Sequence, residues 1–241
     1  MIFKKLFNKF ISVGLDNDIR RVKWVERILK SIPAKSRILD AGAGELRFKE
    51  FCSHLDYVSQ DFGRYDGRGD EVGLQTENWS QENLDIVSDI TQIPQPDNSF
   101  DAILCSEVFE HISEPIKAIK EFSRLLKKGG LLILTAPFAS ATHFAPFHFY
   151  SGFNIYFYKT HLKNNDFEII EINRTGNFFK YIAQEIRRIP YIVKRYTKTK
   201  LKIWEYPVLI IFLVILSRLN NKDTNSGEFL NFDYCIIAKK K

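Results

Sequence analysis

The chain has 241 residues, 45% hydrophobic and 27% charged, a composition that fits one ordinary globular domain with a small appendage and excludes disorder and collagen-like repeats. Its 35 Lys and Arg against 29 Asp and Glu leave +6, an excess that suits an anionic surface or substrate but does not by itself indicate nucleic-acid binding. Cys52, Cys105 and Cys235 are odd in number and too far apart for a CxxC pair, so neither a disulfide framework nor a zinc knuckle is expected, and a reducing cytoplasm is the natural location.

In chain order, residues 1–11 place Phe3, Leu6, Phe7, Phe10 and Ile11 at three- and four-residue steps, with Lys4, Lys5 and Lys9 off that face. This is the pattern of an amphipathic helix that either packs on the domain or lies on a membrane surface. It lacks the apolar run and cleavage site of a signal peptide. Beyond it, β-rich runs at 37–41, 57–60, 84–88, 100–106, 131–136, 167–173 and 232–238 alternate with helical patterns at 19–31, 45–53, 115–126 and 154–163. Such alternation writes a parallel sheet flanked by helices. Lys127-Lys128-Gly129-Gly130 reads as the capped C-terminus of the third helix. Residues 176–228 are too long for a plain loop and must hold helices of their own. Within them, 180–202 carry eight Lys and Arg against the single acid Glu185, and 207–216 form the apolar run PVLIIFLVIL. That run is well short of the ~20 residues needed to span a bilayer. Two readings stand: a buried helix preceded by a solvated basic face, or a surface that meets anionic lipid or a phosphorylated substrate. The expected organisation is N-terminal helices at 1–35, a core at 36–175, a variable helical insertion at 176–228, and a final strand with a basic tail at 229–241.

In open α/β sheets ligands bind beyond the carboxyl ends of the strands. After the first strand stand Asp40-Ala41-Gly42-Ala43-Gly44-Glu45, where the two glycines allow a tight turn and close approach of backbone to ligand. The third glycine of a dinucleotide fingerprint would fall at Arg47, which counts against NAD. Asp61 follows the second strand, placed to accept both hydroxyls of a ribose or to cap its own loop. Asp89 and Ile90 follow the third, placed to meet an exocyclic amine and cover a base, or simply to form a turn before Thr91.

The successive segments ILDAGAG, YVSQDF, SDITQIPQPDNSFDAILCSEVFEHI and RLLKKGGLLILTAP resemble the motifs of class I S-adenosylmethionine-dependent methyltransferases, over residues of about 36–175. The resemblance implies a Rossmann-like, seven-stranded, mostly parallel sheet whose last strand is antiparallel. It implies Asp40, Gly42 and Gly44, with Ala41 and Ala43 between them, around the methionine moiety of S-adenosylmethionine. Asp61, with Phe62 beside it, would hold the ribose, Asp89 with Ile90 the adenine, and Ser106 with Glu107 the reactive end. No metal is needed for such a transfer. A general base is required only where the acceptor must lose a proton, and the candidates are His111, His143, His148 and Tyr150. His148 stands where the family pattern usually has an acid. Phe144, Phe147, Phe149, Phe153, Tyr156 and Tyr158 are candidates to line an apolar or sugar-stacking acceptor pocket, the alternative being that the histidines and aromatics only pack a lid.

The expected activity is methyl transfer by in-line displacement to a small-molecule or lipid- or sugar-type acceptor. The competing reading is a nucleoside-binding regulatory or scaffold protein with the same fold. No nucleic-acid partner is expected, since no Asn-Pro-Pro-Tyr-like motif stands at Cys105-Ser106-Glu107-Val108. Peripheral contact with the inner membrane surface, if made, falls to residues 1–11 and 180–216.

Overall fold

Alternation of two burial environments along the central strands sets the architecture. Leu39, Ile103, Cys105, Leu132, Leu134 and Ile236 join one core, while Ile38, Ala102, Leu104, Ile133 and Ile237 join another. A period of two with both phases apolar describes a sheet covered on both faces. The computed structural model describes residues 12–241; the amphipathic helix expected at 1–11 lies outside the described residues.

The seven strands are β1 (Arg37–Ala41), β2 (Asp56–Asp61), β3 (Ile86–Val87), β4 (Phe100–Ser106), β5 (Leu126–Pro137), β6 (Phe167–Arg174) and β7 (Asp233–Lys240). They form one sheet in the order β3-β2-β1-β4-β5-β7-β6. The β1–β2, β1–β4, β2–β3 and β4–β5 pairings are parallel, and β7 runs antiparallel to β5. This is the sheet the sequence predicts.

Helix α1 (Asn17–Ser31) covers one face with Val25, Ile28 and Leu29. Helices α2 (Pro115–Leu125) and α3 (Ile155–Asn164) cover the other with Ala118, Ile119, Phe122, Tyr158 and Leu162. The Asn154 side chain caps α3 by accepting from the amides of Tyr156 and Phe157. The approach to β4 is pinned by Arg124, which donates to both Glu121 oxygens, to Asp97 and to the carbonyls of Ile93 and Gln95. Cys105 sits in one core and Cys52 in the other, Cys235 is buried within β7, and all three are unpaired in disulfides.

Three expectations about the core elements are corrected. The helix expected at 45–53 is a series of turns with one short 3-10 segment, Lys49–Cys52. Gly44 and Leu46 both take positive φ (51° and 60°), which interrupts a right-handed helix at its first turn. Lys127-Lys128-Gly129-Gly130 is not a helix cap. Leu126 already adopts extended geometry and pairs with Phe100, so β5 begins where α2 stops and the four residues belong to the strand. The strand expected at 84–88 contracts to Ile86–Val87.

By its contacts the chain divides into two compact units: Arg21–Asn173 with Asp233–Lys241, which holds the sheet, and Arg174–Phe232 with the segment up to Arg20. The second contains α4 (Phe178–Tyr196) and α5 (Glu205–Asn220) around a small core of Val13, Ala183, Leu213 and Leu216. Asn177 caps α4 through the Lys180 amide and donates to Asn220 and Asp223. Gly14, with φ of 80°, lies so close to α4 that a Cβ would stand 2.6 Å from the Lys180 carbonyl oxygen. Of the apolar run in α5, only Leu213 and Leu216 are buried, which overturns the buried-helix reading; Ile210, Ile211, Phe212 and Ile215 face outward. No helix among the described residues is long and apolar enough to cross a membrane.

Phe122 is fully buried and packs against Phe109, with ring centroids 6.3 Å apart. Phe122→Ala is expected to lower the free energy of unfolding by ~3–5 kcal/mol, read as a shift of the urea midpoint at unchanged slope.

Candidate functional site

The carboxyl ends of β1, β2 and β4 open onto a cleft of about 900 Å³, at the upper end of the volumes that hold small molecules. Its floor is the turn after β1. The amides of Gly42 and Ala43 donate to the Gln60 carbonyl at 2.8 and 2.9 Å, and the Gly44 amide donates to Asp61 Oδ2 at 2.9 Å, so β2 fixes the loop. Gly42 takes φ of 79°, and a Cβ there would stand 2.4 Å from Val108 Cγ2, so the position needs glycine twice over. Gly44 backs onto the Trp79 ring.

Asp40 is the penultimate residue of β1 rather than part of the loop, is buried, and accepts a 2.6 Å hydrogen bond from the Tyr57 hydroxyl. Burial pushes its carboxyl up to about 7, against the pull of the Tyr57 bond and with help from the neighbouring Asp61 carboxylate. Asp61 carries three protein donors: the amides of Gly44 and Gly63 and, at 2.7 Å, Gln81 Nε2. Asp89 makes the turn that its loop-capping reading describes, Oδ1 accepting from both the amide and the hydroxyl of Thr91, while it also lines the cleft beside Ile90.

At the end of β4, Ser106 bonds to Thr135, whose hydroxyl donates to Glu107 Oε1. Glu107 holds φ of 57°, an uncommon geometry for a residue with a side chain. Arg21 reaches from α1 to bind both Glu107 and the buried Asp233, at 3.1 and 3.2 Å. Glu110 is buried nearby, and its Oε2 has no hydrogen-bond partner. Burial, reinforced by Glu107, pushes its carboxyl well above the usual range.

Two segments roof the cleft and clasp one another. The Leu74 amide donates to the Thr142 carbonyl, the Phe144 amide to the Leu74 carbonyl, and the Asp70 amide to the Ala145 carbonyl. Tyr65 stacks on Phe144 with centroids 4.4 Å apart, Trp79 meets the same ring edge-on, and Phe62 meets Phe147 edge-on. His111 and His143 line the cleft, and burial holds His111 down to about 3, a neutral imidazole; repulsion by His143 adds to this. His148 and Tyr150 stand outside the lining: His148 Nε2 lies 3.2 Å from the Ser140 hydroxyl, and the Tyr150 hydroxyl donates to the Ser113 carbonyl. Of the aromatics considered for an acceptor pocket, Phe144, Phe147 and Phe149 line the cleft, Phe153 and Tyr158 are buried in the core, and Tyr156 faces solvent. Arg21, Tyr65, Trp79, Gln81 and Glu110 were not expected in the lining. Only the Glu110-His111 doublet carries a sequence signal; the others arrive by tertiary folding of stretches without periodicity.

Residues 39–134 match the family described as "Methyltransferase domain". A demethylmenaquinone methyltransferase from Deinococcus radiodurans is 27% identical over 158 residues, covering 60% of this chain and 61% of that one. A demethylmenaquinone methyltransferase from Renibacterium salmoninarum is 33% identical over 144 residues, covering 58% of this chain and 55% of that one. The chain therefore spans less than two thirds of the length of these curated relatives. Among solved structures, an S-adenosylmethionine-dependent methyltransferase from Archaeoglobus fulgidus shares the fold at a TM-score of 0.54 and 17% identity, covering 94% of this chain and 98% of that one.

The buried Asp40 has a measurable signature. Below its unfolded value near 4 it is neutral folded or unfolded and costs nothing; as pH rises from about 4 to about 7 the unfolded chain ionises first, and stability falls. Asp40→Asn, which keeps an acceptor for Tyr57, is expected to remove this component. Its melting temperature should rise relative to the wild-type chain between pH 5 and 8, and a constant difference across that range would refute the raised value.

Proposed function

We propose that this chain, which carries a class I S-adenosylmethionine-dependent methyltransferase domain, transfers a methyl group to a small lipophilic ring acceptor of the quinone type. S-adenosylmethionine supplies an activated methyl group on a sulfonium leaving group. The observation that carries the reading is one cleft in which Gly42 and Gly44, Asp61, Asp89 with Ile90, and Ser106 with Glu107 converge from four successive strand ends. That set fits the cofactor chemically. The glycine turn admits close approach of a ligand to backbone, and Asp40, Asp61 and Glu107 offer negative charge to a cationic sulfur. Asp61 is the group to receive ribose hydroxyls, with Gln81 yielding its place. Asp89 and Ile90 receive the base.

The chain's contribution to the chemistry is alignment and exclusion of water. Holding acceptor and methyl carbon in line can supply several kcal/mol, at most about 7 to 11. Phe144, Phe147 and Phe149 provide an apolar wall suited to a ring acceptor, in keeping with the names of the two relatives. His111, a neutral imidazole at that wall, and His143 beside it are the side chains available as bases to an acceptor that must lose a proton.

Titration calorimetry with S-adenosylmethionine and S-adenosylhomocysteine, with NAD as control, tests the reading. Micromolar binding of the first two alone is expected. Asp61→Ala should weaken it at least tenfold, about 1.4 kcal/mol, whereas Gln81→Ala should leave affinity equal or improved. A scaffold without turnover has one observation in its favour, the Asp61 carboxylate already filled by three protein donors. Binding of both nucleosides without methyl transfer to any quinone-type acceptor would select it.

A lipophilic acceptor calls for access to a membrane, and the helical unit offers a surface of the right chemistry. Trp204, Ile211 and Phe212 are more than half exposed, and the adjoining Lys194, Arg195, Lys198, Lys200 and Lys202 are exposed cations. Ile211→Asp combined with Phe212→Asp is expected to abolish co-sedimentation with anionic vesicles while leaving cofactor affinity unchanged. Equal sedimentation of variant and parent would end the proposal of contact through 180–216.

A further inference from the structure

At the acceptor end of the cleft three side chains aim ligand atoms at one point. His111 Nδ1 lies 2.7 Å from the Phe147 carbonyl oxygen, and His143 Nδ1 lies 2.9 Å from the Ala141 carbonyl oxygen. A carbonyl only accepts, so each Nδ1 carries the hydrogen and each Nε2 is the ring's acceptor nitrogen. Both Nε2 atoms face the same carboxylate oxygen, Glu110 Oε1, at 3.7 and 3.8 Å. The three ligand atoms lie within 4.8 Å of one another. Glu110 is 1% exposed, and its second oxygen has no partner. With Glu110 ionised these are three acceptor atoms, and acceptors converging in a buried place repel unless a positive centre sits among them.

We propose that Glu110, His111 and His143 form a binding site for a divalent first-row transition-metal ion, with coordination positions left open toward the cleft. Two imidazoles and one carboxylate are the donor set that suits such ions, more than the hard oxygen cages of magnesium or calcium. Both imidazoles already make the outer contact that metal-ligating histidines make, Nδ1–H to a backbone carbonyl. Bonds of about 2.0–2.2 Å place tetrahedral ligands roughly 3.3–3.6 Å apart, so the two spacings to Glu110 close by a few tenths of an ångström on metal uptake. The His143 loop can supply that movement, since His143 lies on the roof segment while His111 and Glu110 follow β4.

Three protein ligands with an open position is the pattern of a working metal site rather than a structural one. A hydroxyl on the acceptor is the ligand such a position takes, and a metal there lowers the pKa of that hydroxyl. This role rests on the methyl-transfer reading; the site itself does not.

The two are separated by titrating cobalt(II) into the chelator-treated chain, free of any polyhistidine tag, with no methyl donor present. Saturable visible absorption at one equivalent, displaced by zinc, is expected. His143→Ala, whose fold is checked by circular dichroism, should weaken cobalt binding roughly a hundredfold while binding of S-adenosylhomocysteine stays as in the parent. Glu110→Gln should weaken it as well. Absence of a one-to-one absorption band, or a His143→Ala variant that binds cobalt as the parent does, overturns the site. Cobalt binding without any nucleoside binding would sustain the site and refute the methyl-transfer reading instead.

Discussion

Everything that faces the cleft depends on β1, β4 and β5 being buried on both faces. A strand covered on two sides cannot slip by one residue without carrying apolar side chains from one core to the other, and here both cores are filled. Register is therefore fixed, and with it the height at which each strand ends. Asp40, Asp61 and Glu107 follow from that height. The turn at Gly42 is then drawn down by the Gln60 carbonyl and the Asp61 carboxylate, two groups whose own positions are set by the parallel pairing of β1 with β2.

The price of such a cleft is a concentration of acids. Asp40, Glu107, Glu110 and Asp233 are withdrawn from water to differing degrees within the same half of the sheet, and the Arg21 guanidinium bridges Glu107 and Asp233. Removing one partner from a buried arrangement of this kind leaves an uncompensated charge, so Arg21 holds α1 to the sheet and moderates the field at the reactive end together. A cationic ligand relieves the same field from the opposite side. Stability of the empty fold and affinity for a cation are thus set against each other at one place.

Legibility in the sequence tracked periodicity. Strands β1, β4, β5 and β7 and helices α1, α2 and α3 alternate or repeat clearly, and so do the glycines and acids at strand ends, because their spacing follows from the βα geometry itself. The turns at 45–53 mimic a helix in composition, and only the left-handed backbone at Gly44 and Leu46 distinguishes them. Lys127-Lys128-Gly129-Gly130 has the residues of a helix cap, yet pairing of Leu126 with Phe100 decides the matter at a distance no local pattern records. The roof was illegible for a related reason. Tyr65, Trp79 and Phe144 meet through contacts across some eighty residues of chain, and Glu110 hides inside a motif whose histidine draws the eye first.

The cysteines, all three buried, acquire a use that has nothing to do with catalysis. Burial raises the Cys105 and Cys235 thiols and, with Asp40 adding to it, pushes Cys52 up to about 12, so none offers a thiolate at neutral pH. An alkylating reagent reaches them only when the sheet itself opens. Cys105 reports on one layer and Cys52 on the other, so the rates at which they are labelled time the parting of the two layers from the sheet, with clocks the chain already carries.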